Sequence, residues 1–328
     1  MFQVKKVGML LVCIAIMGST LIACGNKDNS SNNTPTSETQ ATATPAPEQT
    51  EETTRMFTDW TGHEVEIPVN PKRVIYHGEV TGDVLALGVT PVGVMKNENG
   101  GTVYDDLIAD IEDVGFPLSL EKSLEINPDL IIFSNSDAAQ YEQISKVAPT
   151  VTFNSFAPIA ERMQTLGDLL GKQTEAEAWL ARYNTTMKEM WALLHESGIK
   201  ESETASVFTM YPGNRLFVMA GAGLPQFLYE ENGFKPVDKV QEIIDQEIGF
   251  VEISAELLNE YVGDRIFILN PVDPAALEST NELMESEVWK NLPAVKSGYV
   301  YNFDIVKAGS DALSRDWMIE ELPKVIIQ

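Results

Sequence analysis

Ser-Leu-Glu-Lys-Ser-Leu-Glu-Ile-Asn-Pro-Asp-Leu-Ile-Ile occupies residues 119–132, and Ser-Ala-Glu-Leu-Leu-Asn-Glu-Tyr-Val-Gly-Asp-Arg-Ile-Phe occupies residues 254–267. Ser119 and Ser254, Glu121 and Glu256, Glu125 and Glu260, and Asp129 and Asp264 stand at matching offsets. Each copy reads as a serine cap, a short helix, a turn and a buried strand. The repeat predicts two lobes of one design, each with an acidic residue in the first turn of a helix. Two such lobes around a cleft suit a binding protein better than an enzyme.

The 328 residues exceed one ordinary domain and suit two. At 44% hydrophobic the chain can build real cores. Its 49 acidic against 23 basic residues give a formal charge of -26, which repels nucleic acid and anionic lipid. Lys5 and Lys6 precede an apolar run from Val7 to Ala23, the pattern of a secretion signal. Gly8, Gly18, Ser19 and Thr20 interrupt the run, which is short for a membrane span. Leu21-Ile22-Ala23-Cys24-Gly25 resembles the bacterial lipobox, which makes Cys24 the acylated first residue of the mature chain. Acyl chains there would hold the protein to a membrane surface. Cys13 leaves with the signal, so the mature chain has no disulfide and no cysteine metal site. Residues 26–55, rich in Asn, Ser, Thr, Pro and Glu, read as a disordered tether. A flexible coil of that length reaches roughly 30 Å.

From there short apolar runs alternate with helical patterns. Residues 73–76, 91–94, 130–133 and 150–153 read as strands, with helices over 81–87 and 137–147. That alternation predicts a parallel α/β sheet. A helix over 159–170 stops near Gly171, and a second runs over 174–197 with Thr174 as N-cap and Gly198 as C-cap signal. Ala178, Trp179, Ala181, Tyr183, Met187, Met190, Trp191 and Leu194 recur along one side of it. Such a helix spans roughly 36 Å, enough to cross between lobes. Strands over 205–210, 216–218, 265–269 and 298–302, a helix over 224–231 and a last helix over 313–327 complete the alternation. Trp60 is expected to pack the opening hairpin. The expected boundaries are a signal peptide at 1–23, a tether at 24–55, an N-terminal α/β lobe at 56–173, a bridging helix at 174–197 and a C-terminal α/β lobe at 198–328.

Four stretches carry a family resemblance. They are Asp59-Trp60-Thr61-Gly62-His63-Glu64-Val65-Glu66-Ile67-Pro68 with Asn70-Pro71-Lys72-Arg73-Val74, then Leu85 through Val94, then 119–132, and Leu228-Tyr229-Glu230-Glu231-Asn232-Gly233-Phe234 through Glu252-Ile253-Ser254. Together they span nearly the whole mature chain. The chain resembles the substrate-binding lipoproteins of ABC importers for ferric siderophores, the group that includes ferrichrome- and vitamin B12-binding proteins. The resemblance implies a class III periplasmic-binding-protein-like fold: two Rossmann-like α/β lobes joined by a single long α-helix, with limited opening. It also implies an extracytoplasmic, lipid-anchored monomer that captures a ferric siderophore in the interlobe cleft and hands it to a membrane permease dimer. No catalytic residue is expected. No cofactor is expected either, iron arriving only inside its chelate.

The resemblance implies that Glu121 and Glu256, one per lobe, dock onto permease arginines. Two carboxylates on separate lobe tips would give a two-point electrostatic register. The plainer reading is compensation of the helix dipole. Loops at strand ends are the expected cleft lining, over 77–81, 96–104, 134–137, 211–215 and 304–309. From these His77, Lys96, Tyr104, Tyr211 and Arg215 are the candidate ligand-binding residues, aromatics for an organic scaffold and cations for an anionic chelate. Three histidines and no mature cysteine argue against direct coordination of Zn or Mn.

Many ferric-hydroxamate binders carry a Trp-Gly-Arg-Gly-Gly-like loop where this chain has Gly221-Ala222-Gly223-Leu224-Pro225. The departure leaves the ligand subclass open. The scarcity of basic residues in the cleft loops, chiefly Lys96, Arg215 and Lys307, favours a less charged chelate. A haem or corrinoid receptor is the alternative, with Tyr104, Tyr211 or His77 as axial ligand of a haem. A membrane-tethered hydrolase on a two-lobed scaffold is the alternative from another class. It lacks a G-x-S-x-G elbow, an H-E-x-x-H and a P-loop, although a carboxylate pair stays open in so acidic a chain.

Overall fold

An antiparallel hairpin, β1 (Thr54–Thr58) and β2 (Glu64–Pro68), opens the described part of the chain, in a computed structural model that describes residues 53–327. The signal segment, Cys24 and nearly all of the tether lie outside the described residues. Strand β1 thus starts at Thr54, inside the stretch expected as tether. Asp59 in the hairpin turn accepts from the amides of His63 at 2.8 Å and Thr152 at 2.9 Å, which pins the hairpin to the N-terminal lobe. Trp60 does not pack this hairpin; it is an exposed side chain of the turn.

Five strands form the sheet of the N-terminal lobe: β3 (Val74–His77), β4 (Gly93–Val94), β5 (Glu112–Asp113), β6 (Leu130–Phe133) and β7 (Thr150–Thr152). They lie in the order β5-β4-β3-β6-β7, and every pair is parallel. All four residues of β3 and of β6 are buried, as helix-covered parallel strands require.

The C-terminal lobe contains β8 (Thr204–Tyr211), β9 (Arg215–Met219), β10 (Lys235–Pro236), β11 (Phe250–Ile253), β12 (Arg265–Asn270) and β13 (Val300–Asp304). Their order is β11-β9-β8-β12-β13, with β10 beside the start of β8. This sheet is mixed rather than parallel: β9 is antiparallel to both β8 and β11. The physical reason is the Pro212-Gly213-Asn214 turn, far too short for a crossover between parallel strands. Gly213 and Asn214 both take positive φ there, 87° and 59°.

Between the sheets lies the bridging helix, Gln173–Glu196. Ala176, Trp179, Tyr183, Met187, Met190, Trp191 and Leu194 are buried along it at spacings of three and four, while Ala178 and Ala181 of the expected stripe face solvent. Thr174 sits inside the first turn and does not cap it; Lys172 occupies that place without a side-chain bond. The preceding helix Ile159–Leu170 ends at Gly171 in the left-handed region, φ 65°, where a side chain would be strained.

One hydrophobic core runs through both lobes. It joins Val74, Tyr76, Ile132 and Val151 of the first sheet to Val207, Phe267, Leu269 and Phe303 of the second, by way of the bridging helix and the C-terminal helix Ala312–Ile326. Second cores sit on the outer face of each sheet.

Candidate functional site

In a parallel sheet, a helix that leads into a strand starts at the strands' C-terminal edge. The hydrogen bonds show this directly. Ser119 N–H donates to Val114 O at 2.8 Å, and Val114 N–H to Val94 O at 2.9 Å, so helix Leu120–Ile126 begins where β4 ends. In the other lobe Ser254 follows Ile253, which pairs with Leu216, itself beside Met210 near the end of β8. The two members of the repeat therefore occupy corresponding edges of their sheets.

Their local structures differ. Ser119 caps its helix, its hydroxyl accepting from Lys122 N–H at 3.4 Å. Ser254 makes no such bond, and its segment is a 3-10 turn, Ala255–Leu257, followed by a single turn of α-helix, Leu258–Tyr261. Glu121 and Glu256 are exposed in these first turns. The repeated aspartates are structural. Asp129 accepts from the amides of Lys72 at 2.7 Å and Arg73 at 2.9 Å, and Asp264 from Thr204 N–H at 2.8 Å and Thr204 Oγ1 at 2.9 Å. Each carboxylate thus ties the start of its lobe's β3-type central strand to the strand beside it.

At the same edge, between the lobes, is a cavity of about 270 Å³. Gly78 and Glu79 after β3, Lys96 after β4, Tyr104 and Phe116 line it from the N-terminal lobe; Val306, Gly309 and Asp311 line it from the C-terminal lobe. Of the five candidate ligand-binding residues, Lys96 and Tyr104 reach it. Lys96 Nζ donates to Ala109 O at 2.9 Å, turned back toward its own lobe. Tyr104 is nearly buried, and desolvation holds its hydroxyl in the neutral form.

His77 does not line the cavity: it is 2% exposed, beneath Phe116, whose ring stacks on it at 6.0 Å. Its Nε2 lies 3.1 Å from Gly115 O, and a carbonyl only accepts, so Nε2 carries the hydrogen. Burial pushes its pKa down and keeps the ring neutral. Tyr211 and Arg215 lie away from this cavity, on the β8–β9 turn, where Arg215 forms an ion pair with Glu252 at 2.8 Å and covers Phe217 at 5.0 Å. The structure thus brings two candidates together and separates three. Sequence reading placed Glu79 within the expected lining loop 77–81 without choosing it as a ligand residue, and it missed Phe116. The usable signal was the unbroken apolar run of β3, which buries its last residue, His77, and leaves the next two positions to reach the cleft.

Next to Asp311, which lines the cavity, the lobes meet in a buried polar seam. Arg162 and Asp83, both fully buried, meet at 2.9 Å from Nε to Oδ2, an ion contact whose N–H is not aligned on the oxygen. Arg162 also donates to Ser155 O at 2.9 Å in its own lobe and to Ser310 O at 2.6 Å across the seam. Asp83 Oδ1 accepts Ala312 N–H across the seam at 2.7 Å. Gly82 permits this approach, since a Cβ there would fall 1.8 Å from Asp311 Oδ1. Desolvation pushes the Asp83 pKa up to about 6 against the pull of Arg162, and burial raises Asp311 as well.

Two α/β lobes, one connecting helix and an open cavity at the facing sheet edges define a two-lobed binding protein. Residues 74–305, more than half of the chain, match the periplasmic binding protein family, and the chain belongs to it. It is 29% identical over 310 residues to the iron(3+)-hydroxamate-binding protein FhuD of Bacillus subtilis, covering 92% of this chain and 90% of that protein. Among solved structures it is similar to Staphylococcus aureus SirA complexed with staphyloferrin B, at 26% identity and a TM-score of 0.74, covering 82% of this chain and 97% of that one. Staphylococcus aureus FhuD2 with bound ferrioxamine B matches at 25% identity and a TM-score of 0.69, covering 78% and 98%.

Proposed function

We propose that the chain is the extracytoplasmic substrate-binding lipoprotein of an ABC importer, that it captures a ferric siderophore between its lobes, and that it releases the cargo unaltered to a membrane permease. The observation that carries this reading is the interlobe cavity at the C-terminal edges of both sheets, in a chain of the periplasmic binding protein family. The relatives named for hydroxamates and the solved structures holding siderophores support iron chelates as the cargo class. Cys24 is the lipid attachment point, with residues 24–53 as tether, 54–172 and 197–328 as lobes and Gln173–Glu196 as the bridge.

Glu121 and Glu256 are the docking carboxylates, because both are exposed at corresponding sheet edges, one on each lobe. The test is uptake of a radiolabelled ferric siderophore by cells carrying Glu121→Ala with Glu256→Ala. Uptake is expected to fall by about tenfold or more, the range of 1.4 kcal/mol per decade in affinity, while chelate binding to the purified variant persists. Normal uptake would refute the docking role.

A further inference from the structure

The charges around the cavity decide what kind of chelate it accepts. Glu79 lines it, and its one protein partner there is a hydroxyl: Ser155 Oγ donates to Oε2 at 3.2 Å. Among the described residues no lysine or arginine pairs with Glu79. Two lysines stand at the lining: Lys96, which is part of it, and the exposed Lys307, next to Val306. Lys96 Nζ is turned back onto Ala109 O, and Arg162 is held in the buried seam against Asp83 and Ser310. The lining also includes the carboxylate of Asp311, whose oxygens accept from Leu313 N–H, Ser314 N–H and Ser314 Oγ. The whole chain adds a formal charge of -26, and a cleft between low-dielectric walls focuses that field. A trianionic chelate entering this cavity meets the Glu79 carboxylate, which no lysine or arginine among the described residues pairs. A chelate with a pendant ammonium meets an acceptor and, beside it, the open face of Phe116, 73% exposed.

We propose that Glu79 is a specificity-determining residue that seats a cationic pendant group, so that the preferred cargo is a ferric trihydroxamate of positive net charge and triply anionic ferric tris-catecholates are selected against. This inference rests on the reading of the cavity as a siderophore site.

Ferrioxamine B and its N-acetyl derivative carry the same iron chelate and differ by one positive charge, so the ratio of their dissociation constants isolates the charge. The full chain, solubilised in detergent, is titrated with each, and with a ferric tris-catecholate, by tryptophan fluorescence. The cationic form is expected to bind about tenfold tighter at low ionic strength, with the ratio shrinking as salt screens it. Glu79→Gln is expected to bring the ratio close to one, because a glutamine still accepts from Ser155 but carries no charge. The control Glu142→Gln, an exposed acid on the helix Ala138–Ile144, keeps the ratio. Equal affinity for the two forms, a ratio unchanged in Glu79→Gln, or tightest binding of the tris-catecholate each overturns the proposal while leaving a siderophore receptor. Binding of none of the three overturns both readings.

Discussion

At the scale of single residues, the repeat carries two kinds of information. Asp129 and Asp264 have the same job, accepting amide and hydroxyl donors at the start of a neighbouring central strand. Bonds to a charged acceptor contribute about 1.5–3 kcal/mol each, so Asp129→Ala is expected to lower stability by about that amount, read from urea unfolding midpoints. Ser119 and Ser254 share a position but not a role, since only Ser119 makes a cap bond. Spacing cannot distinguish the two, because the cap depends on the turn that follows rather than on the serine. Asp83 is a different case. Its folded-state pKa, about 6, lies above the ordinary aspartate value of 3.8, so the folded protein holds this proton more tightly than the unfolded chain. The stability it contributes is full below pH 3.8 and is lost as pH rises through about 6. At 1.36 kcal/mol per unit this amounts to about 3 kcal/mol. The stability of the wild type relative to Asp83→Asn is therefore expected to fall as pH rises from 4 to 7. A flat or rising difference would show that Arg162 outweighs desolvation.

Among the elements, the long helix was the most legible and its contacts the least. Its period and length follow from Trp179, Tyr183, Met187, Met190, Trp191 and Leu194, all buried as a helical stripe. Ala178 and Ala181 misled because alanine suits either face of a helix. The C-terminal helix had no periodic signal for what it touches: Asp316 receives both Arg182, at 2.9 and 2.7 Å, and Trp179 Nε1, at 3.2 Å. Arg315, fully buried, donates to the Tyr183 hydroxyl at 2.8 Å and contacts Glu230, while Tyr183 donates to Glu230 Oε2 at 2.9 Å. This triad fastens the bridge to the C-terminal helix and to the second lobe. Tyr183→Phe removes both bonds without removing the ring, and is expected to cost about 1.5–3 kcal/mol in denaturant unfolding. Tyr211→Phe, at an exposed hydroxyl, should stay within about 0.5 kcal/mol of wild type. Equal effects would mean that the triad contributes nothing. Strand β9 was readable but its direction was not, since alternation of strand and helix says nothing about direction when a three-residue turn intervenes, and β11 was not read as a strand.

For the whole molecule, a core shared between lobes limits how far they can part. A hinge that opened widely would expose Val207 and Phe267 on one side and Val151 and Tyr76 on the other, all held in one apolar cluster. It would also leave Arg162 and Asp83 without their cross-lobe partners, Ser310 O and Ala312 N–H, at the cost of buried unpaired polar groups. The sequence made two lobes and their bridge readable because periodicity is local. The seam was unreadable because Asp83, Arg162 and Ala312 lie far apart in the chain and meet only after folding. The Ala312 amide reports on this seam directly. If the lobes stay fastened, its hydrogen exchange should require opening close in free energy to global unfolding, with and without a bound ferric chelate. Arg162→Met keeps an apolar stem of similar length but leaves Asp83 buried without its cation, a change that costs about 3–5 kcal/mol. In that variant the Ala312 amide should exchange much faster, while amides of the outer core, such as Ile266 in β12, change only as global stability changes. Rapid exchange of Ala312 in the wild type would show instead that the lobes part freely, and that the buried seam forms only when cargo closes it.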